Sequence, residues 1–136
     1  MISTLSDDAV RLTLKVRDYE LDIQGIVNNS VYGNYLEHAR HEFFLEKGVS
    51  FSKLAAEGIH LVVTRIEIDY KKSLHSRDEF YVETTVAPSS SLRFQFEQSI
   101  FRKTDDKLIV RGVVSCVAIK AESGRPIKPI DAGLRF

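Results

Sequence analysis

Apolar and polar residues alternate from Val10 to Val16, with Val10, Leu12, Leu14 and Val16 on one side and Arg11, Thr13 and Lys15 on the other. That period of two predicts a half-buried strand. A loop rich in carboxylates follows, Arg17-Asp18-Tyr19-Glu20-Leu21-Asp22, and then Gly25. From Val31 the period changes: Val31, Tyr35, Leu36, Ala39, Phe43 and Phe44 recur at helical spacing. Asn28, Asn29 and Ser30 are good N-cap residues, and Lys47 followed by Gly48 is a normal C-terminal signature. The spacing therefore predicts a helix from about Val31 to Lys47, near 25 Å long at 1.5 Å per residue. A second, short helix is expected from Ser52 to Glu57, stopping at Gly58.

The rest of the chain reads as strand. Leu61 to Lys71 carries Ile66, Ile68 and Tyr70 on one parity, and Glu79 to Ala87 carries Phe80, Val82, Thr84 and Val86. Leu92 to Arg102 alternates Leu92, Phe94, Phe96 and Gln98 with Arg93, Gln95 and Glu97. After the turn Thr104 to Lys107, the segment Leu108 to Lys120 has an apolar even face and an odd face that holds Ile109, Val113, Val117 and Ile119 as well. A strand apolar on both faces is expected to be central and covered on both sides. The tail with Pro126 and Pro129 is expected to trail along the surface. One strand, one long helix and four strands joined by short links make an α+β domain with an antiparallel sheet, a single domain over residues 1–136. One helix cannot cover both faces of such a sheet, so curvature or a second subunit must protect the remainder.

Composition narrows the classes of function. Nineteen basic residues balance nineteen acidic ones, which gives no bulk electrostatic reason to expect nucleic acid or an anionic membrane as partner. Cys116 is the one cysteine; it lies among apolar neighbours, reads as an inert core thiol, and is compatible with a reducing cytoplasm. No apolar run approaches the roughly 20 residues of a membrane span. Met1 to Asp8 lacks the basic and then apolar layout of a signal peptide. A cytoplasmic protein is the default expectation.

The run Val16-Arg17-Asp18-Tyr19-Glu20-Leu21-Asp22-Ile23-Gln24-Gly25-Ile26-Val27-Asn28-Asn29-Ser30-Val31-Tyr32 is the most informative. A strand ends in an aspartate, a glycine follows three residues later, and two apolar residues lead into a helix start bearing a tyrosine. This is similar to the signature of the 4-hydroxybenzoyl-CoA thioesterase family, the hotdog fold. With Tyr35 and Ala39-Arg40-His41-Glu42-Phe43 added, it looks especially like the plant acyl-lipid thioesterases related to methylketone synthase 2. The resemblance implies a curved antiparallel β-sheet around one long central α-helix. It also implies a homodimer or homotetramer in which sheets join edge to edge and active sites lie at subunit interfaces.

Thioester hydrolysis needs an activated nucleophile and a stabilised oxyanion. The resemblance implies that Asp22 is the catalytic carboxylate, attacking the thioester carbon or deprotonating a water. It implies that the backbone N–H of Asn29, at a helix N-terminus that favours negative charge, polarises the carbonyl. Gly25 would let the loop approach the substrate, and Asn28, Tyr32, His60 and Thr64 are expected to contact it. Several bacterial relatives hold His or Tyr where this chain holds Asn29, a departure that favours a fatty-acyl substrate on CoA or on acyl-carrier protein. Glu37 is a secondary catalytic candidate, since other hotdog lineages use a helix glutamate; its structural reading is a pair with Arg40 or His41 at helix spacing. His38 and His41 read as a solvated helix face, and no third ligand gives them metal-site spacing. Neither a metal nor another cofactor is expected. Phe94, Phe96 and Phe101 read as sheet core or sheet surface. The alternatives on the same fold are an enoyl-thioester hydratase and a non-catalytic acyl-thioester binding protein.

Overall fold

The structure is a computed structural model that describes residues 2–5 and 8–136; Met1, Ser6 and Asp7, part of the N-terminal stretch examined for a signal layout, lie outside the described residues. The element order is β1 (Ser3–Thr4), β2 (Val10–Lys15), a 3₁₀ turn (Asp18–Glu20), α1 (Asn29–Glu46), α2 (Phe51–Ala56), β3 (Ile59–Tyr70), β4 (Glu79–Pro88), β5 (Arg93–Arg102), β6 (Leu108–Lys120), β7 (Pro126–Ile127), a 3₁₀ turn (Pro129–Ala132) and β8 (Leu134–Arg135). The main sheet runs β2-β4-β5-β6-β3, all antiparallel. It is curved, and the long helix α1 lies against its inner face.

Local chemistry sets the helix bounds. The Asn28 side chain accepts from the Ser30 N–H at 3.0 Å and so caps α1. At the other end Gly48 takes a φ of 82°, a left-handed conformation that costs glycine nothing. Ser50 caps α2 in the same way, accepting from the Lys53 N–H at 3.2 Å.

The helix buries a continuous stripe, Tyr32, Tyr35, Leu36, Ala39, Arg40, Phe43 and Phe44. Its N-terminal half packs with Phe80, Val82, Ile100, Ile109 and Val110, and its C-terminal half with Phe94, Phe96, Val114 and Ala118. Each fully buried apolar side chain contributes about 1.5–3 kcal/mol. Between the two clusters α1 approaches the sheet most closely. A Cβ on Gly112 would lie 2.9 Å from Leu36 Cδ1, so glycine in the middle of β6 is what lets the helix descend. Gln98, opposite Gly112 in register, uses the same gap. Its amide donates to the Leu36 carbonyl at 2.9 Å and to Thr84 Oγ1 at 3.1 Å, and its oxygen accepts from Arg40 at 3.1 Å.

Two expectations need correction. The tail does not trail over the surface. β7 pairs with β6, β8 pairs in parallel with β1, and Ala132 and Leu134 are buried. The apolar residues within the tail outweigh its prolines. Nor is β6 fully covered on both sides. Its even residues Val110 to Ala118 are buried, but Val113, Ser115 and Ile119 on the outer face are only half-buried. β6 is interior because β5 and β3 flank it.

Candidate active site

The segment from Leu21 to Val27 forms a tight loop closed by a Leu21–Val27 bridge. The Asp22 N–H donates to the Ile26 carbonyl at 2.8 Å, and the Gly25 N–H to the Asp22 carbonyl at 3.1 Å. Gly25 holds a φ of 81°, which a side chain would resist. The half-buried Asp22 carboxylate is oriented by its own loop. Its Oδ1 accepts from the N–H of Gln24 at 2.8 Å and, more weakly, of Ile26 at 3.4 Å. Among the described residues no donor engages Oδ2, which leaves that oxygen for chemistry.

The loop is tied to its surroundings by backbone. Val27 donates to the Leu74 carbonyl at 2.9 Å, and Ile26 forms a bridge with His75. The Leu74 N–H donates to the Tyr32 hydroxyl at 3.0 Å. Glu20, which the sequence reading passed over, is the anchor on the other side. Its carbonyl accepts from the Asn28 N–H at 3.1 Å, and its Oε1 accepts from the Arg17 N–H at 2.7 Å and the Tyr35 hydroxyl at 2.8 Å. Burial, then the bond to Glu20, pushes the Tyr35 hydroxyl far above its ordinary pKa, so it stays a donor. The signal for Glu20 was present as the acid three residues past Arg17, the spacing of a capping box.

The predicted residues divide into three groups. Asp22, Gly25, Asn28 and Asn29 come together, with Asn28 as N-cap and Asn29 as the first helical residue. No group among the described residues accepts from the Asn29 N–H, as befits the first turn of a helix. Tyr32 stands behind them, not at the surface. It is 2% exposed, its ring meets those of Tyr35 and Tyr70, and its hydroxyl is occupied. Its hydroxyl fixes the loop from within the core. Burial raises its pKa.

His60 and Thr64 form the third group, and the fold of the chain does not bring them to Asp22. Tyr70, at the end of β3, reaches the helix start, its hydroxyl 3.4 Å from the Asn29 carbonyl. At about 3.3 Å per residue, His60 lies about 33 Å and Thr64 about 20 Å back along the strand. Thr64 is the extra residue of a β-bulge between Val63 and Arg65, and its hydroxyl donates to the Ser115 carbonyl at 3.3 Å. The bulge shifts parity, so Leu61 and Val63 before it share a face with Ile66 after it, all three lining one cavity.

Two hollows flank α1. On the β2 side a groove of about 760 Å³ is lined by polar groups including Lys15, Arg17, Asn34 and His38. On the β3 side a cavity of about 330 Å³ is lined by Phe44, Phe51, Phe94 and Phe96 with Glu37, Arg40, His41 and Cys116. Neither is lined by Asp22. The β3-side cavity is lined mostly by apolar side chains, and the β2-side groove is the larger. Glu37 stands exposed at its margin; no ion pair joins it to Arg40 or His41 among the described residues, but its charge acts through space on the Arg40 guanidinium. His38 and His41 do not converge: one lines the β2 groove, and the other meets the Phe51 ring edge-on at 5.7 Å. Phe94 and Phe96 are core residues that also wall the cavity, a role the alternation could not assign. Phe101 stacks on Tyr81 at 5.3 Å. Burial pushes the Cys116 thiol up to about 11.

A model of the thioesterase-like superfamily matches residues 16–135. The chain is 38% identical over 97 residues to the acyl-acyl carrier protein thioesterase ATL3, chloroplastic, of Arabidopsis thaliana, covering 71% of this chain and 51% of that protein. It is 26% identical over 114 residues to the long-chain acyl-CoA thioesterase FadM of Escherichia coli, covering 84% and 86%. A DHNA-CoA thioesterase from Staphylococcus aureus superposes with a TM-score of 0.83 at 26% identity, over 90% of this chain and 82% of that one. The chain spans about half the length of the Arabidopsis relatives it matches. The architecture is the hotdog fold.

Proposed function

The chain belongs to the thioesterase-like superfamily, and from that premise we propose that it hydrolyses fatty-acyl thioesters of CoA or acyl-carrier protein. The observation that carries the reading is the juxtaposition of the Asp22 loop with the unpartnered N–H of Asn29. The thioester carbonyl oxygen points at that N–H, where the positive end of α1 stabilises the oxyanion. Asp22 Oδ2 does the second task. It either attacks the carbonyl carbon, expelling the thiolate and leaving a mixed anhydride for water to cleave, or takes the proton of an attacking water. Both routes use the same oxygen, and both need Oδ1 held still by Gln24 and Ile26. Glu37 stays a secondary candidate at the cavity margin.

The working unit in this reading is a homodimer, or a tetramer of two dimers. β3 is one of the sheet's two terminal strands, with β2 the other, and Val63, Ile66 and Tyr70 on it are large, apolar and exposed. Such an edge invites pairing with another strand. Two β3 strands paired antiparallel about Arg65 would set His60 of one protomer opposite Tyr70 of its partner, close to the partner's helix start. That would bring His60 towards Asp22 across the interface, while Thr64, opposite Ile66, would stay about 13 Å from the partner's Tyr70. No helix among the described residues is long and apolar enough to cross a membrane, and the compartment we propose is the reducing cytoplasm, on the single buried thiol. The test is turnover of acyl-CoA and acyl-carrier-protein thioesters of graded chain length, followed with a thiol reagent. Release of free thiol and fatty acid supports the reading. Binding without turnover would make the chain a non-catalytic acyl binder, and a hydrated acyl product would make it an enoyl-thioester hydratase; either result overturns it.

A further inference from the structure

Arg40 is the anomaly in the β3-side cavity. It is 8% exposed, on the buried stripe of α1, in a wall otherwise built mainly from apolar side chains. A guanidinium carries five N–H donors and a full charge. Here one nitrogen, Nη1, donates to Gln98 Oε1 at 3.1 Å, and no carboxylate pairs with the side chain among the described residues. No side-chain nitrogen or oxygen sealed from solvent lacks a partner among the described residues, so the remaining guanidinium nitrogens keep contact with solvent, and Arg40 lines the cavity. Gln98 is itself locked by Leu36 and Thr84, so the guanidinium is held in place. A stability role alone does not explain this arrangement. Glu37 at the cavity margin favours the charge through space but forms no ion pair with it among the described residues, so the guanidinium's open donors still cost stability, and an apolar residue of the same length would serve the core better.

We propose that Arg40 is a specificity-determining residue that receives an oxygen acceptor on the acyl group, a carbonyl or a carboxylate, inside the cavity walled by Phe44, Phe51, Phe94 and Phe96. This rests on the acyl-thioesterase reading and deepens it. The apolar walls bind the methylenes, and Arg40, the buried one of the polar residues lining the cavity with Glu37 and His41, supplies the donors. A plain hydrocarbon chain would cover the guanidinium and leave its donors unpaired. Sites built to bond a polar group reject the analogue that lacks it for this reason.

The experiment compares kcat/KM for N-acetylcysteamine thioesters of equal chain length: plain acyl, acyl with a ketone at successive positions, and acyl ending in a carboxylate. The wild-type protein should prefer one oxygenated series over the plain chain by at least about tenfold. Preference for the ketone or for the carboxylate tells which oxygen is received. Arg40→Met should collapse the ratio towards one, whatever it does to the absolute rate. Should Arg40→Met fail to fold, Arg40→Lys keeps the charge and the stem but loses the planar fork, and should lower the ratio at least about threefold. A wild-type enzyme indifferent to the oxygen, or a ratio unmoved by the substitution that folds, overturns the proposal. If no thioester is hydrolysed, the hydrolase reading fails separately. The same intact thioesters then serve as ligands, and their Kd ratio in the wild-type and variant proteins decides for or against Arg40 by the same margins.

Discussion

Replacing Asp22 separates the proposed chemistry from loop structure, because the proposal gives the two carboxylate oxygens different work. Oδ1 holds the Gln24 and Ile26 N–H groups at 2.8 and 3.4 Å. Asp22→Asn keeps an acceptor there, so the loop should survive and Tm should move little. It replaces Oδ2 with an amide nitrogen that can neither attack nor take a proton. Loss of a positioned base or nucleophile costs about 10²–10⁴-fold, so kcat should fall by at least about a hundredfold. Asp22→Ala removes both functions. Leaving two loop N–H groups without their acceptor on a half-buried turn should cost about 1–3 kcal/mol, a fall in Tm of several degrees at about 2–8 °C per kcal/mol. The assay is steady-state thioester turnover beside thermal unfolding for both variants. A carboxylate that only braces the loop predicts the opposite pattern: Asn near wild type and Ala impaired through instability. Retention of more than about a tenth of the wild-type rate by Asp22→Asn, against the loss expected for a positioned base, would refute the catalytic assignment.

Asn29→Ala keeps the backbone donor and should cost at most about tenfold in kcat, whereas an ester in place of the amide that carries the Asn29 N–H should cost about a hundred- to a thousandfold. An Ala variant as damaged as Asp22→Asn, with the fold intact, would make the side chain the participant. Ile66→Lys, at the exposed centre of the free β3 edge, should shift the mass seen by light scattering to the monomer and lower activity with it, through charge on a strand edge that pairs; an active monomer would refute the shared site. The Cys116 thiol ionises at about 11 in the fold against 9.0 ordinarily. The unfolded chain therefore loses this proton first as pH rises. Stability from this group is full below pH 9.0 and declines up to about 11. Cys116→Val should flatten the alkaline limb of a urea-unfolding series, and an unchanged slope would show that the thiol is not shielded.

The sequence by itself determined the elements. Period and capping residues act locally, so Asn28, Gly48 and the alternation in β4 and β5 were legible from neighbours alone. The motif from Val16 to Tyr32 fixed the family, and with it the cluster of Asp22, Gly25, Asn28 and Asn29, because those residues sit within one loop and one helix turn. What tertiary structure decided is where long-range packing competes with local pattern. The tail carries prolines that read as surface, yet Leu134 pairs back on the N-terminal strand. Tyr32 has the spacing of a site residue but is buried, since its hydroxyl is the one that can satisfy the Leu74 N–H. Thr64 lost its place in the alternation to a bulge that appears only when β3 pairs with β6. Arg40 reads as a polar helix residue until Gln98, 58 positions later, turns it into the cavity wall. No local pattern carries such a contact, because its energy is realised only when α1 settles over Gly112.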